Sequence, residues 1–212
     1  LSNLHLQKTF HAGEPVWGSY YQSMLLPAQQ DPVDVRYGSQ PVFLANLLVR
    51  VSDAGINDAQ TAEDVLLHID QIVPFIELAD LQVQKPSGLT AHHLTAINAA
   101  ARLGVMGQPF AVEADAKNRK RLLRELEGMS VRVMDGKGRL LGRGKGSDVM
   151  GHPLRSVVWL AAALRKEGLS LQPGQWVSLG ALSPMFRPRA GEKVTVAYAG
   201  LTGVRPVGVR FQ

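Results

Sequence analysis

The sequence predicts an α+β fold: a mixed, largely antiparallel rolled sheet with a few packed helices. Three observations lead there. Apolar runs of strand length recur along the chain between Gly, Pro and Asp turns. Only a few segments carry the three-to-four-residue apolar spacing of an amphipathic helix. Asp135-Gly136-Lys137-Gly138 separates two short apolar segments and reads as a hairpin, which makes its flanking strands antiparallel.

Residues 1–38 are turn-rich, with Gly13, Pro15, Gly18, Pro27, Pro32 and Gly38 breaking any long element. Residues 41–51 are nearly continuous apolar sequence and read as a buried strand. A helix is expected over 62–69, with Thr61 as its cap and Asp64 near its first turn. Residues 73–81 (VPFIELADL) read as a second buried strand that carries Glu77 and Asp80. Two acids in an apolar frame are costly unless paired, hydrogen-bonded or bound to metal. The 89–103 segment is helical or irregular, and 104–107 leads into another strand. Residues 117–124 read as the polar face of a short helix containing Leu122, Leu123 and Leu126. Residues 131–134 and 139–141 flank the hairpin. Leu154, Val157, Val158, Ala161 and Leu164 then form one apolar helical stripe, with Pro153 in its first turn and Gly168 as its stop. Strands at 177–179, 193–198 and 204–211 close the chain.

At 212 residues with 45% hydrophobic content and a net charge of +5, this is the composition of an ordinary globular protein. No run approaches the roughly 18 apolar residues of a membrane span. The absence of cysteine excludes disulfides and thiolate chemistry and leaves cytoplasm and periplasm both open. The positive charge is scattered and accompanies no nucleic-acid reader motif, so a solvated helix face is the better reading of residues 117–124.

Several blocks together resemble the 2-keto-4-pentenoate hydratase family of the fumarylacetoacetate hydrolase superfamily. They are Leu1-Ser2-Asn3, 10–18 (FHAGEPVWG), 72–81 (IVPFIELADL), 98–107 (NAAARLGVMG) and, most clearly, 151–211 with its PGQWVSLGAL strand. The resemblance spans 1–212 as one hydratase-like domain and implies that the family's N-terminal segment lies outside this chain. It implies a rolled α+β fold, homo-oligomeric assembly and a cleft in which magnesium or manganese chelates a small 2-oxo acid. Such a cation would polarise the 2-oxo group and stabilise developing enolate charge.

The family's cation site uses two acids one residue apart on a strand, whose alternation puts both on one face, plus a third acid on a neighbouring strand. Here the first two positions are Leu44 and Asn46, and no Asp or Glu lies between Asp34 and Asp53. The third position matches Glu77, and a nearby family aspartate matches Asp80. The resemblance thus implies Glu77 and Asp80 as catalytic residues, with Glu77 and Asn46 as a weakened, degraded metal site. Glu77 holds a cation weakly with Asn46 and water, or it is a hydrogen-bonded tie between two strands. Trp17 and Asn98 are expected at the substrate, while an expected acid falls on Val16 and an expected serine on Ala181.

Other candidates carry less. His92 and His93 have no acid close in sequence, which suits a polar surface role, and His152 before Pro153 suits helix capping. Residues 142–147 lack the spacing of a phosphate loop. Two functional readings follow: a hydratase-like carbon–oxygen lyase acting on or binding a 2-oxo acid or 2-hydroxydienoate, or a catalytically inactive homologue that binds a small acid or serves as an assembly subunit.

Overall fold

The computed structural model describes residues 1–28, 32–83 and 88–212. Two long strands, β2 (Pro41–Val51) and β3 (Ile69–Asp80), pair antiparallel at the centre of the main sheet, from Pro41 opposite Asp80 to Val51 opposite Ile69. Both are covered on two faces, which is why their sequences are apolar runs rather than alternations. Strand β4 (Ala101–Met106) runs antiparallel along β3, and β1 (Leu25–Pro27) lies parallel to β4. The short β5 (Phe110–Ala111) pairs with the start of β3.

A second sheet has the order β10-β9-β6-β7, from β6 (Ser130–Asp135), β7 (Leu140–Lys145), β9 (Lys193–Ala199) and β10 (Val207–Arg210). The remaining strand, β8 (Trp176–Ser178), flanks β2 in the main sheet. All pairings but β1–β4 are antiparallel, as the hairpin and turn spacing predicted. The hairpin forms at the expected place, and the Asp135 carboxylate accepts from the backbone of Lys137 and Arg139, both at 2.9 Å. Val131, Val133, Val194 and Val196 point from the second sheet into one apolar cluster with Ala45, Leu47, Val49 and Ile76 of the first. Tyr198 bolts the two sheets together by donating its hydroxyl to the Asn46 carbonyl at 2.5 Å. Burial raises its pKa, so that hydroxyl stays a donor.

The helices are α1 (Leu4–Thr9), α2 (Ala62–Leu67), α3 (Ala91–Ala96), α4 (Ala116–Gly128) and α5 (Arg155–Lys166). Thr61 and Asp64 cap α2 reciprocally. Gly168, at φ 70°, ends α5 in the left-handed conformation after Glu167. His152 does cap: Nδ1 accepts from the Leu154 amide at 3.1 Å and Nε2 donates to the Leu123 carbonyl at 3.0 Å.

Several boundaries differ from the sequence reading. The turn-rich N-terminal segment contains α1, because Asn3 accepts from the amides of His5 and Leu6 and supplies a cap. The 89–103 segment divides into α3, a short 3-10 turn and the start of β4, so one strand already precedes Gly107 and the short β5 follows it. His92 and His93 lie on α3, both exposed. β3 begins at Ile69, where α2 was expected to continue, and the last strand narrows to Val207–Arg210.

Gly104 sits between β3 and β1 opposite Glu77, and a Cβ there would lie 1.9 Å from Phe75 Cζ. Gly104→Ala is expected to cost roughly 1–3 kcal/mol by displacing the Phe75 ring. Urea unfolding would measure this, and an unchanged midpoint would mean that the ring has room to yield.

Candidate functional site

A cleft of about 910 Å³ opens over one face of the main sheet. β2 supplies Leu44 and Leu48 to it, β3 supplies Glu77 and Ala79, and the 15–20 loop supplies Val16, Trp17 and Tyr20. Glu77 is the sole acid lining the cleft among the described residues. It stands directly opposite Leu44 in the β2–β3 register.

Asn46, two residues along β2 from Leu44, is fully buried and makes four hydrogen bonds. Its Nδ2 donates to Glu77 Oε2 at 2.9 Å and to Ser178 Oγ at 2.7 Å. Its Oδ1 accepts from the backbone amides of Leu47 at 2.7 Å and Gly180 at 3.1 Å. Two amide donors on one atom identify that atom as the oxygen. The side chain therefore ties β2 to β3 and to the chain following β8, with its one acceptor engaged by backbone and its donors aimed at Glu77.

Desolvation raises the Glu77 pKa, against the hydrogen bonds from Asn46 and Tyr20, which favour the charged form. A carboxyl whose folded-state pKa is raised binds its proton more tightly in the folded than in the unfolded chain. Its contribution is then fully present below the unfolded-state pKa and is lost as pH rises through the folded-state value. Glu77→Gln removes that loss, and its Tm gain over wild type is expected to be larger at pH 8 than at pH 5, by roughly 2–4 °C. Equal gains at both pH values in a calorimetric scan would contradict the raised pKa.

Tyr20 is the residue that sequence reasoning missed. Its ring packs edge-on against Phe75, with centroids 5.9 Å apart. Its hydroxyl is buried beside the Glu77 carboxylate. Burial, with the Glu77 charge second, raises its pKa well above the ordinary phenol value, so the hydroxyl keeps its proton. The sequence carried no period or motif at Tyr20; only its nearness to the Trp17-Gly18 pair marked the loop.

Of the other sequence-derived residues, Trp17 lines the same cleft as Glu77, and Asp80 and Asn98 do not. Asp80 lies off the cleft lining, where its carboxylate accepts from the amides of Gln40 at 2.8 Å, Ser39 at 3.1 Å and Gln82 at 3.2 Å. Desolvation opposes its ionisation, yet those donors hold its pKa below the usual value. Asn98 pairs with the backbone of Ser19, accepting at 2.7 Å and donating at 2.8 Å, which anchors the loop bearing Trp17. It opens a left-handed turn with Ala99 and Ala100 at φ 56°, 54° and 62°. For the two alanines this geometry costs roughly 1–2 kcal/mol each. Trp17 itself borders the cleft and is 36% exposed, enough to meet a ligand at the mouth.

No group of three or more His, Cys, Asp or Glu residues among those described is placed to hold a metal. With Leu44 apolar and the Asn46 oxygen engaged, Glu77 alone faces the cleft as an anionic donor. Magnesium is strongly hydrated and demands several oxygen ligands in near-octahedral geometry. Among the described residues, one carboxylate lines the cleft.

No family model matches the chain. It is 26% identical over 206 residues to a 2-keto-4-pentenoate hydratase of Paraburkholderia phymatum, covering 97% of this chain and 74% of that protein. It is 28% identical over 141 residues to a 4-oxalocrotonate decarboxylase of Pseudomonas putida, covering 66% of this chain and 50% of that protein. Among solved structures, 4-oxalocrotonate decarboxylase from Pseudomonas putida G7, complexed with magnesium and adipate, superposes with a TM-score of 0.82 at 22% identity. That superposition covers 100% of this chain and 75% of the other. A putative fumarylacetoacetate hydrolase family protein from Yersinia pestis shares the fold at a TM-score of 0.67 and 12% identity, over 100% of this chain and 89% of that one.

Proposed function

From a chain that is similar over nearly its whole length to the 2-keto-4-pentenoate hydratases, and that has the fold of the fumarylacetoacetate hydrolase family, we propose a protein whose cleft takes a small 2-oxo acid or 2-hydroxydienoate over a degraded cation site. The observation that carries this reading is Glu77, the acid matched to the family pattern, on the floor of a cleft otherwise lined without acids. Where turnover is retained, it is a carbon–oxygen lyase step of the hydratase kind.

The residues divide by what they touch. Glu77 holds or releases a proton at the ligand. Trp17 forms a wall at the mouth. Asn98 positions that wall through Ser19. Asp80 organises the turn at 38–40 rather than meeting the ligand. Asn46 fixes the Glu77 carboxylate and supplies no ligand for a cation.

A second reading, binding without turnover, is favoured by the Asn46 oxygen that two backbone amides occupy and by Leu44 beside Glu77. Assembly as a homo-oligomer belongs to both readings, and light scattering tests it. No helix among the described residues is long and apolar enough to cross a membrane.

Calorimetric titration with pyruvate and oxalate, with and without magnesium or manganese, tests the site. Heat from the acid that is unchanged by cation is the expected result. Binding that appears only with cation would overturn the degraded-site reading. Decay of the dienoate absorbance on adding the protein to 2-hydroxypenta-2,4-dienoate then separates the enzyme from the silent binder.

A further inference from the structure

We propose that the cleft takes a 2-oxo acid with a single carboxylate and a long apolar tail, laid along β2 from Glu77 to Trp176, and turns away dioic acids of similar length. This rests on the reading of the cleft as a small-acid site, and it names the substituent that such an acid carries.

The floor of the cleft changes character along β2. Side chains alternate, so Leu44, Asn46, Leu48 and Arg50 share one face of the strand. Asn46 holds the Glu77 carboxylate at one level. Two residues on, about 7 Å along the strand, Leu48 joins Val73 and Phe75 in a small apolar cluster of its own. Leu25, Met106 and Trp176 pack on that cluster, line the cleft and are each left half-buried. Trp176 stands opposite Arg50 in the β2–β8 register. A half-covered apolar strip thus begins where the polar residues end.

The tryptophans point the same way. All three in the chain, Trp17, Trp159 and Trp176, line this one cleft, and none is buried. Large apolar side chains left open together mark a binding surface, whereas single exposed ones are ordinary. At about 910 Å³ the cleft lies at the upper end of pockets that enclose a drug-sized ligand. A short acid such as pyruvate leaves most of that space empty.

Charge sets the kind of tail. No Lys, Arg or His lines the cleft among the described residues. Arg50 lies over the Trp176 ring at 5.9 Å, but its guanidinium is spent on Asp70, with Nε and Nη2 donating at 2.8 and 2.7 Å. One carboxylate of a ligand stays hydrated at the mouth, beside the exposed Trp17. A second, carried on the tail, would be desolvated against Met106 and Trp176 with no counter-charge. An alkyl or aryl tail loses nothing polar on the same path and gains by leaving water.

Titration of the full chain with pyruvate, 2-oxooctanoate and 2-oxoadipate, read by calorimetry and by tryptophan emission, tests this. One equivalent of 2-oxooctanoate is expected to bind roughly hundredfold more tightly than pyruvate, less than the full transfer value of its additional methylenes because ordering the tail has a cost. Its binding is expected to shift the emission to the blue. 2-Oxoadipate is expected to bind no more tightly than pyruvate. Trp176→Ala is expected to cut the ratio of 2-oxooctanoate to pyruvate affinity at least about fivefold. A merely structural role for the ring would weaken both acids alike and leave that ratio unchanged. The wild-type series decides by itself if the variant does not fold. Equal affinities for pyruvate and 2-oxooctanoate, an equal gain with 2-oxoadipate, or a ratio that survives Trp176→Ala would overturn the proposal while leaving the cleft an acid site. Failure of all three acids to bind the folded protein would overturn the small-acid reading itself, and this proposal with it.

Discussion

Replacing Asn46 by alanine is expected to destabilise the protein by roughly 3–5 kcal/mol, the range for breaking a buried, charge-assisted network on one side. The side chain has no exposed surface and satisfies four groups at once: Glu77, Ser178 and the amides of Leu47 and Gly180. Truncation leaves the Gly180 amide without its acceptor and strips the Glu77 carboxylate of its nearest donor. Both losses carry the full desolvation penalty of an unpaired buried group. Guanidinium unfolding measures the effect. A cost below about 1 kcal/mol would mean that water enters and replaces the amide. Asn46→Asp discriminates further, since it keeps the two backbone acceptor bonds but sets a second carboxyl against Glu77, and one of the pair must then hold a proton.

The second large effect is a gain. Leu44→Glu combined with Asn46→Asp is expected to strengthen manganese binding at the cleft floor. Positions 44 and 46 lie two apart on β2 and so share a face, and position 44 stands opposite Glu77. Three carboxylates would then converge on the cleft floor. Electron paramagnetic resonance titration of manganese is expected to show at least roughly hundredfold tighter binding than wild type, or about 2.7 kcal/mol. A folded double variant that binds no manganese would show that the strand geometry, and not merely the residue types, has departed from a cation site.

The fold was legible where sequence periodicity is strong. The runs at 41–51 and 73–81, the hairpin at 135–138 and the apolar stripe of α5 each stated their structure through burial or turn chemistry. What failed was short and local. α1 spans under two turns and depends on the Asn3 cap, and the left-handed turn at Asn98–Ala100 uses alanines, which nothing in the sequence marks for positive φ. In the cleft, Glu77 was visible as an acid inside an apolar strand. The direction of the Asn46 amide was not, because it depends on the Gly180 backbone, 134 residues away. Tyr20 escaped for a similar reason. Burial of its hydroxyl beside Glu77 is a property of three-dimensional surroundings, and no spacing rule encodes it. Asp80 read as a site residue because it matches a family aspartate, and its carboxylate accepts from the amides of 39, 40 and 82.

The bond from Tyr198 to the Asn46 carbonyl divides the cleft into parts with different thermal lifetimes. The floor is stitched to both sheets, so its amides are expected to exchange with deuterium only when the whole core opens. Besides the Leu1 bond to the Val16 carbonyl and the Tyr20 ring on Phe75, the 15–20 wall is held by the Asn98 pair with Ser19, at the start of a turn that already stores backbone strain. That wall is expected to exchange orders of magnitude sooner. A ligand would thus enter by a door that swings on Asn98, against a threshold that does not move.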